Sequence, residues 1–252
     1  MMKRLLVRVS ALFLAAAFSV HAGVTVSSSR VIFTEGLGQQ SLMLVNTNDW
    51  PVMVQTWVDN GDANPAPGSV KAPFVSVPPL FSLAPQRMQG IRLIYNQSPL
   101  PKDRESVFWL NLYEIPPGSP ARSLQAQSVV LTMNTQMKIF WRPKTLGAPE
   151  NLPEKVHFRL ENLNGKWEII CQNRSPWHVS FAAITLLAAS HAYGVEPQPD
   201  MMVVPYGEKR YSVAAEAAKT RALPLRVRAE LIDDAGNISV SEFPLSGEER
   251  GK

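Results

Sequence analysis

The chain has 252 residues, enough for one large domain or two domains of about 100 residues each. Its formal net charge of +4 would suit a nucleic-acid-binding protein, but the sequence contains no basic run and no alternation of basic and aromatic residues. The one cysteine, Cys171, excludes an internal disulfide framework, and its apolar neighbours predict a buried position in a strand.

The first 22 residues predict a secretory signal peptide. They contain three basic residues, an apolar run over 9–20 and the small residue Ala22 before the predicted cleavage point. This run is too short for a membrane-spanning helix, which needs about 18 apolar residues. Cleavage would remove three positive charges and no negative ones. We therefore expect a mature protein that begins at Gly23, carries a net charge near +1 and lies outside the cytoplasm.

Short strands are predicted through the first half of the mature chain, because apolar and polar residues alternate there. The seven segments are GVTVSSSRVIF, QSLMLVN, VMVQTWVD, PFVSV, MQGIRLIYN, ESVFWLNLYEI and AQSVVLTMNTQMKIFWR. Connections such as NTNDWP and NGDANPAPGS consist largely of turn-forming residues. Seven strands in about 120 residues are typical of an immunoglobulin-like sandwich, and Trp57 lies mid-strand where such a sandwich tends to bury a tryptophan.

A second strand series follows residues 143–155, PKTLGAPENLPEK, which read as a linker or a sharp bend because they contain three prolines and no periodicity. Its segments are VHFRLEN, KWEIICQN, HVSFAAITLL, MMVVP, KRYSV, PLRVRAELID and ISVSEF. Residues 214–222, AAEAAKTRA, are helix-like, but we expect only a turn of helix there. The sequence predicts an all-β protein with two immunoglobulin-like β-sandwich domains in tandem, over 23–145 and 146–252.

Catalytic patterns are not found in the sequence. His157, His178 and His191 are scattered without metal-ligand spacing, and the GxSxG, HExxH and glycine-rich phosphate-loop motifs do not occur. Asp233 and Asp234 are adjacent within DDAGN, where turn roles explain them. We therefore predict a protein that is not an enzyme and needs no cofactor or metal.

The segment SVVLTMNTQMKIFWRP, residues 128–143, raises a question about its apolar face. Val129, Leu131 and Met133 occupy alternate positions and would lie on one face of a strand, whereas Lys138 would lie on the other face. Alternation alone favours an interior strand that buries this face in the core of its own sandwich. The alternative is a face that a partner protein covers.

Five sequence motifs resemble those of the periplasmic pilus chaperones of the chaperone/usher pathway. DRESVFWLNLYEIPP, followed by MKIFWRP, resembles the signature of this family. SSRVIFTEG, NRSPWHVSF and LIDDAGN are similar to its first strand, the start of its second-domain hairpin and a late turn. The motifs occur in the same order and span most of the mature chain. The resemblance implies an L-shaped pair of immunoglobulin-like domains in the periplasm.

The resemblance also implies a mechanism, donor-strand complementation. Pilus subunits of this pathway are incomplete sandwiches that lack their last strand, and the chaperone lends a strand of its own to fill the gap. The donor side chains map to Val129, Leu131 and Met133. Arg30 and Lys138 map to the pair of cations that binds the C-terminal carboxylate of the subunit.

Glu105, Arg142 and Asp234 match an interdomain ion network of the family, which would hold the angle between the domains. A surface salt bridge or a turn role is the rival interpretation for each of them. The connection before the donor strand is short, and few residues precede Arg30. Both features resemble the short-loop subfamily that serves rod-like pili.

We therefore predict a chaperone that uses no nucleotide, binds pilus subunits and delivers them to an outer-membrane usher. Its apolar donor face would favour a dimer of the free protein, but the sequence does not determine the oligomeric state. The alternative is a secreted two-domain adhesin or carbohydrate-binding protein with an aromatic platform for sugars. Trp109 and Trp141 lie within the chaperone motifs, and Trp57 is predicted to lie in the core. These positions favour the chaperone.

Overall fold

The computed structural model describes residues 23–61, 68, 71–117, 132–163, 166–188, 191–213 and 225–246. The predicted signal peptide, the donor residues Val129 and Leu131, and the helix-like stretch 214–222 lie outside the described residues. Within the described part of the chain, no helix has the length and apolar character of a membrane span.

The first domain contains nine described strands in two sheets. Their bounds are β1 Val24–Val26, β2 Arg30–Thr34, β3 Gln39–Asn46, β4 Val52–Asp59, β5 Phe74–Val77, β6 Leu80–Leu83, β7 Met88–Tyr95, β8 Ser106–Ile115 and β9 Met133–Arg142. One sheet has the order β1-β3-β7-β5 and the other β2-β9-β8-β4-β6. Alternate residues of both sheets point inward and form one apolar core.

Two details of this domain differ from the predicted strands. The segment GVTVSSSRVIF forms two strands because the chain changes sheets within it, so β1 pairs with β3 and β2 pairs with β9. Strand β6 was not predicted. Its four residues follow two prolines directly, and so short a run shows little periodicity.

The prediction that Trp57 lies in the core is wrong. Val54, Thr56 and Val58 fill the inward positions of β4, so Trp57 lies on the outer face and is partly exposed. Its indole N–H donates to Oδ2 of Asp59 at 3.3 Å, and its ring lies against that of Tyr113. Large apolar side chains lie on both faces of this strand, so the alternation pattern does not show which face is buried.

The second domain follows a 3₁₀-helix over Leu152–Lys155 within the predicted linker. Its described strands are β10 Val156–Leu163, β11 Lys166–Asn173, β12 Val179–Ala188, β13 His191–Gly194, β14 Met202–Val203, β15 Glu208–Ser212, β16 Leu225–Ile232 and β17 Ile238–Ser246. The strand order is β13-β12-β16-β17-β10-β11-β15, and β14 pairs with β12. A separate apolar cluster forms the core of this domain. The predicted all-β, two-domain architecture is confirmed.

Cys171 lies fully inside the second core, as predicted. Burial raises the pKa of its thiol to about 12, so the group stays protonated at neutral pH. A protonated, inaccessible thiol is a poor nucleophile. Cys171 is therefore a small core residue of β11.

Candidate functional site

Arg30 and Lys138 lie directly opposite each other on two neighbouring strands. Strand β2 pairs in parallel with β9, and the register aligns Arg30 with Lys138. The next residues, Val31 and Ile139, are buried in the core. Because successive side chains of a strand alternate between faces, Arg30 and Lys138 both leave the sheet on the side away from the core. We call them the cation pair.

Arg30 is only partly satisfied by the protein. Its Nη1 donates to the carbonyl of Ile232, in the second domain, at 3.3 Å, and its guanidinium lies over the ring of Phe140. Its Nε is buried without a hydrogen-bond partner. Burial lowers the pKa of Arg30, opposed by the charges of Asp234, Asp233 and Glu105. An arginine stays protonated regardless, so the site holds a buried N–H donor that lacks an acceptor.

Lys138 has a partner that sequence reasoning missed. Its Nζ donates to Oδ1 of Asp200 at 2.7 Å, and the two side chains are 25% and 34% exposed. Asp200 belongs to the second domain and lies just before β14. The backbone N–H of Met202 donates to the same oxygen at 3.0 Å. The ion pair therefore joins the two domains next to Arg30.

The structure brings Glu105, Arg142 and Asp234 together across the domain boundary. Arg142 Nε lies 2.7 Å from Glu105 Oε1, and its two terminal nitrogens lie 2.6 and 2.8 Å from the oxygens of Asp234. The side chains of Arg142 and Glu105 are 6% and 2% exposed. Burial opposes the charge of Arg142, but the hydrogen bonds and charges of Asp234 and Glu105 outweigh it and raise the pKa of Arg142.

His178 is a fourth member of this ion network. Its backbone N–H donates to Oε2 of Glu105 at 2.8 Å, and its ring Nδ1 lies 3.1 Å from the same oxygen. The ring also packs against Phe140. In the sequence His178 stood alone without metal-ligand spacing, and only its place within NRSPWHVSF gave a signal. We use the name ion network for Glu105, Arg142, His178 and Asp234.

A cleft of about 540 Å³ opens between the domains. Both Arg30 and the ion network contribute to its walls, together with apolar groups such as Phe140 and Leu231. Lys138 is not among its lining residues. Among the described residues, no group of three or more His, Cys, Asp or Glu side chains could hold a metal ion.

Strand β9 is paired on both sides only in its second half. Strand β8 pairs with it from Met133 to Trp141, whereas β2 pairs only from Lys138 onward. Among the described residues, 133–137 therefore have a strand neighbour on one side only, and we call this stretch the open edge. Met137 is 3% exposed and belongs to the core of its own domain, whereas Met133 is 46% exposed.

The fold and the site define a two-domain immunoglobulin-like protein with a cleft between its domains that Arg30 and the ion network line. Models of two domain families match the chain in tandem. The pili and flagellar-assembly chaperone, PapD N-terminal domain, matches residues 23–147, and the pili assembly chaperone PapD, C-terminal domain, matches 151–243. The chain therefore belongs to the PapD family of pilus-assembly chaperones. The two matches meet within the predicted linker, and the exact boundary at 145/146 stays a prediction.

Individual relatives agree with the family. The probable fimbrial chaperone YadV of Escherichia coli K12 is 34% identical over 218 residues, which are 85% of this chain and 87% of the relative. A crystal structure of the YadV chaperone matches with a TM-score of 0.71 and 28% identity, over 88% of this chain and 99% of that one. The Salmonella enterica SafB chaperone, solved in complex with the SafA pilin, shares the fold at a TM-score of 0.70 and 22% identity, over 90% and 99% of the two chains.

The protein is thus a fimbrial assembly chaperone, and its family is not enzymatic. Fimbrial chaperones of this family are periplasmic. None of these relatives supports the alternative of a secreted adhesin or carbohydrate-binding protein. The roles of the individual site residues stay predictions.

Proposed function

We propose that this chaperone binds pilus subunits by donor-strand complementation and delivers them to an outer-membrane usher. Val129, Leu131 and Met133 are the donor side chains in this proposal, and the cation pair binds the C-terminal carboxylate of the subunit. The single observation that carries the proposal is the half-paired strand β9, whose open edge stops at the cation pair.

The open edge offers the backbone groups that a subunit lacking a strand needs. An unpaired strand edge accepts an extended chain through main-chain hydrogen bonds, and alternate side chains then fill pockets of the partner. Met133 is exposed at the start of this edge, so its side chain is available to a partner. Methionine suits this position because its flexible side chain adapts to pockets of different shape.

The cation pair offers what a carboxylate needs. Arg30 has a buried N–H donor without an acceptor, and Lys138 lies opposite it on the neighbouring strand. Charge-assisted hydrogen bonds to a carboxylate contribute roughly 1.5–3 kcal/mol each. They also fix the register, since a slip by one residue would turn the apolar side chains away from their pockets.

The donor side chains supply the larger part of the binding energy. Full burial of three such residues is worth about 5–9 kcal/mol before the costs of association and ordering are subtracted. Burial is non-directional, whereas the cation pair accepts a carboxylate at one place only. In this proposal the apolar face therefore provides affinity and the cation pair provides alignment.

The ion network holds the angle of the cleft in this proposal. Its arginine lies between carboxylates from both domains and is almost fully buried, which suits a fixed hinge contact. Buried networks of this kind specify geometry more than they add stability. We also propose that the signal peptide directs the chain to the periplasm, and that the free protein covers its donor face by self-association.

Co-expression with a pilin subunit tests the proposal. We expect an equimolar soluble complex on size-exclusion chromatography, which Arg30→Ala and Lys138→Ala each abolish. Arg87→Ala and Lys71→Ala are matched controls, because both are exposed cations of the same domain. Thermal unfolding of each variant shows whether the fold is intact.

Two results would contradict the proposal. One is a complex that survives the loss of both Arg30 and Lys138. The other is equal binding of a pilin whose C terminus has been extended by several residues, since the extension removes the carboxylate from its place. A glycan-binding protein would be indifferent to both changes.

A further inference from the structure

Asp200 forms an ion pair with one member of the cation pair, Lys138. Its Oδ1 lies 2.7 Å from Lys138 Nζ and also accepts the backbone N–H of Met202. Lys209 donates to the backbone carbonyl of the same residue. The carboxylate is therefore held next to Lys138 by the second domain, although neither the family motifs nor the alternation pattern marks this residue.

The two cations differ in what they bind. Lys138 has a carboxylate, whereas the Nε of Arg30 has no acceptor and its Nη1 has only a carbonyl. Two positive charges on adjacent strands repel each other, and the negative charge of Asp200 offsets part of this repulsion. The pair thus contains one internal carboxylate and one free donor.

We propose that Asp200 is a specificity-determining residue that competes, as an internal carboxylate, with the C-terminal carboxylate of the subunit for Lys138. This inference rests on the carboxylate-binding role proposed for Arg30 and Lys138. The incoming carboxylate binds first at the guanidinium of Arg30, which lines the cleft, and then replaces Asp200 at Lys138. Asp200 keeps its hydrogen bond from Met202 during the exchange.

The exchange makes the site selective. Because one carboxylate replaces another at Lys138, the number of ion pairs made by this lysine does not change. A small anion in solution competes poorly, since Asp200 is tethered next to Lys138 at a high effective concentration. A chain end whose strand pairs with the open edge of β9 is tethered as well. The site therefore favours chain ends over free anions and over acidic side chains without a paired strand.

A pair of synthetic peptides tests this inference. Both consist of alternating valine and threonine residues, and one ends in a free carboxylate whereas the other ends in an amide. Binding to the full mature chain is measured by isothermal titration calorimetry. We expect Asp200→Asn to bind the carboxylate peptide about three- to tenfold more tightly, the range that loss of a partly exposed ion pair implies, and to leave the amide peptide unchanged.

Asp103→Asn is the matched control, because it removes one negative charge at an exposed position outside the cleft. Asparagine at position 200 still accepts the N–H of Met202, and Asp200→Ser provides a second variant of smaller size. In a Lys138→Gln background, Asp200→Asn should change nothing, because the competition has been removed.

An unchanged or weaker affinity of both Asp200 variants for the carboxylate peptide would overturn the inference, since Asp200 would then position Lys138 rather than compete for it. The proposed function has its own readout. If Lys138→Ala leaves the preference for the carboxylate peptide over the amide peptide intact, the cation pair does not bind the chain end. That result is independent of any change at Asp200.

Discussion

The ion network and the cation pair both join the two domains, but their charges are paired to different degrees. In the ion network, Arg142 has carboxylates on two sides and its side chain is 6% exposed. In the cation pair, Lys138 has one partly exposed partner and the Nε of Arg30 has none. A charge that is fully paired and buried resists rearrangement, whereas a partly exposed ion pair costs little to open. The difference separates a contact that fixes geometry from a contact that can exchange partners.

The largest effect is expected for Arg142→Ala. This change leaves Glu105 buried without its cation, so we expect the free energy of unfolding to fall by about 3–5 kcal/mol. Urea denaturation followed by tryptophan fluorescence measures it. Arg159→Ala is the control, because Arg159 pairs with Glu161 and Glu208 on a partly exposed face and should cost at most about 1 kcal/mol. Equal losses for both variants would remove the distinction between the two kinds of ion pair.

A smaller loss is expected for His178→Phe. Phenylalanine keeps the ring volume against Phe140 but removes the Nδ1 contact to Glu105, so the carboxylate has one fewer partner in a buried place. We expect a loss of about 1–3 kcal/mol in the same assay. His178→Gln retains a polar side chain and should lose less. A His178→Phe variant as stable as the wild type would show that the Nδ1 contact to Glu105 does not stabilise the fold.

Arg30→Ala tests the opposite expectation, that the cation pair contributes little to the stability of the fold. Arg30 makes one side-chain hydrogen bond, to a carbonyl, so its removal should change the free energy of unfolding by no more than about 1 kcal/mol. The proposed function requires the same variant to lose subunit binding. A destabilisation as large as that of Arg142→Ala would show that Arg30 is a structural residue.

The smallest expected effect is a pH dependence of the stability that the exposed ion pairs of the second domain contribute. Hydrogen bonds from Arg210 and Arg159 lower the pKa of Glu161 below its ordinary value of 4.5. A carboxylate with a lowered pKa stabilises the fold fully above that value and loses this contribution as the pH falls through its folded-state pKa. Thermal unfolding should therefore show a gap in melting temperature between wild type and Glu161→Gln at neutral pH that narrows as the pH falls below 4.5 and through the lowered pKa. A gap that stays constant would mean that the charge of Glu161 contributes nothing.

Much of the fold was predictable because alternation is a local property. Most strands of both domains and the two-domain division follow from it, whereas the short strands β6 and β13 and the switch of sheets between β1 and β2 do not. Val24 and Val31 both point into the core, but three serines between them break the periodicity without any glycine or proline to mark a turn. A change of sheet depends on which strand offers a free edge, and this is a property of the whole domain.

The candidate site was predictable only in part. Arg30, Lys138, Glu105, Arg142 and Asp234 came from motifs that resemble a known family. Asp200 had no such signal, and His178 had only its place within NRSPWHVSF. Each is defined by a partner more than 60 residues away in the chain, which only the packing of one domain against the other brings close. Contacts of this kind carry no local period and no fixed spacing.

The pairing of β2 with β9 has a consequence for the direction in which a client polypeptide would run. In the proposed complex its end meets Arg30 and Lys138 while its preceding residues follow the open edge back toward Met133. The client chain then runs parallel to β9. It lies in line with β2, which begins where the client ends. Same-direction ladders are slightly weaker per residue than opposed ones. A segment that pairs antiparallel with the same client strand would therefore gain slightly better main-chain hydrogen bonds than β9 provides.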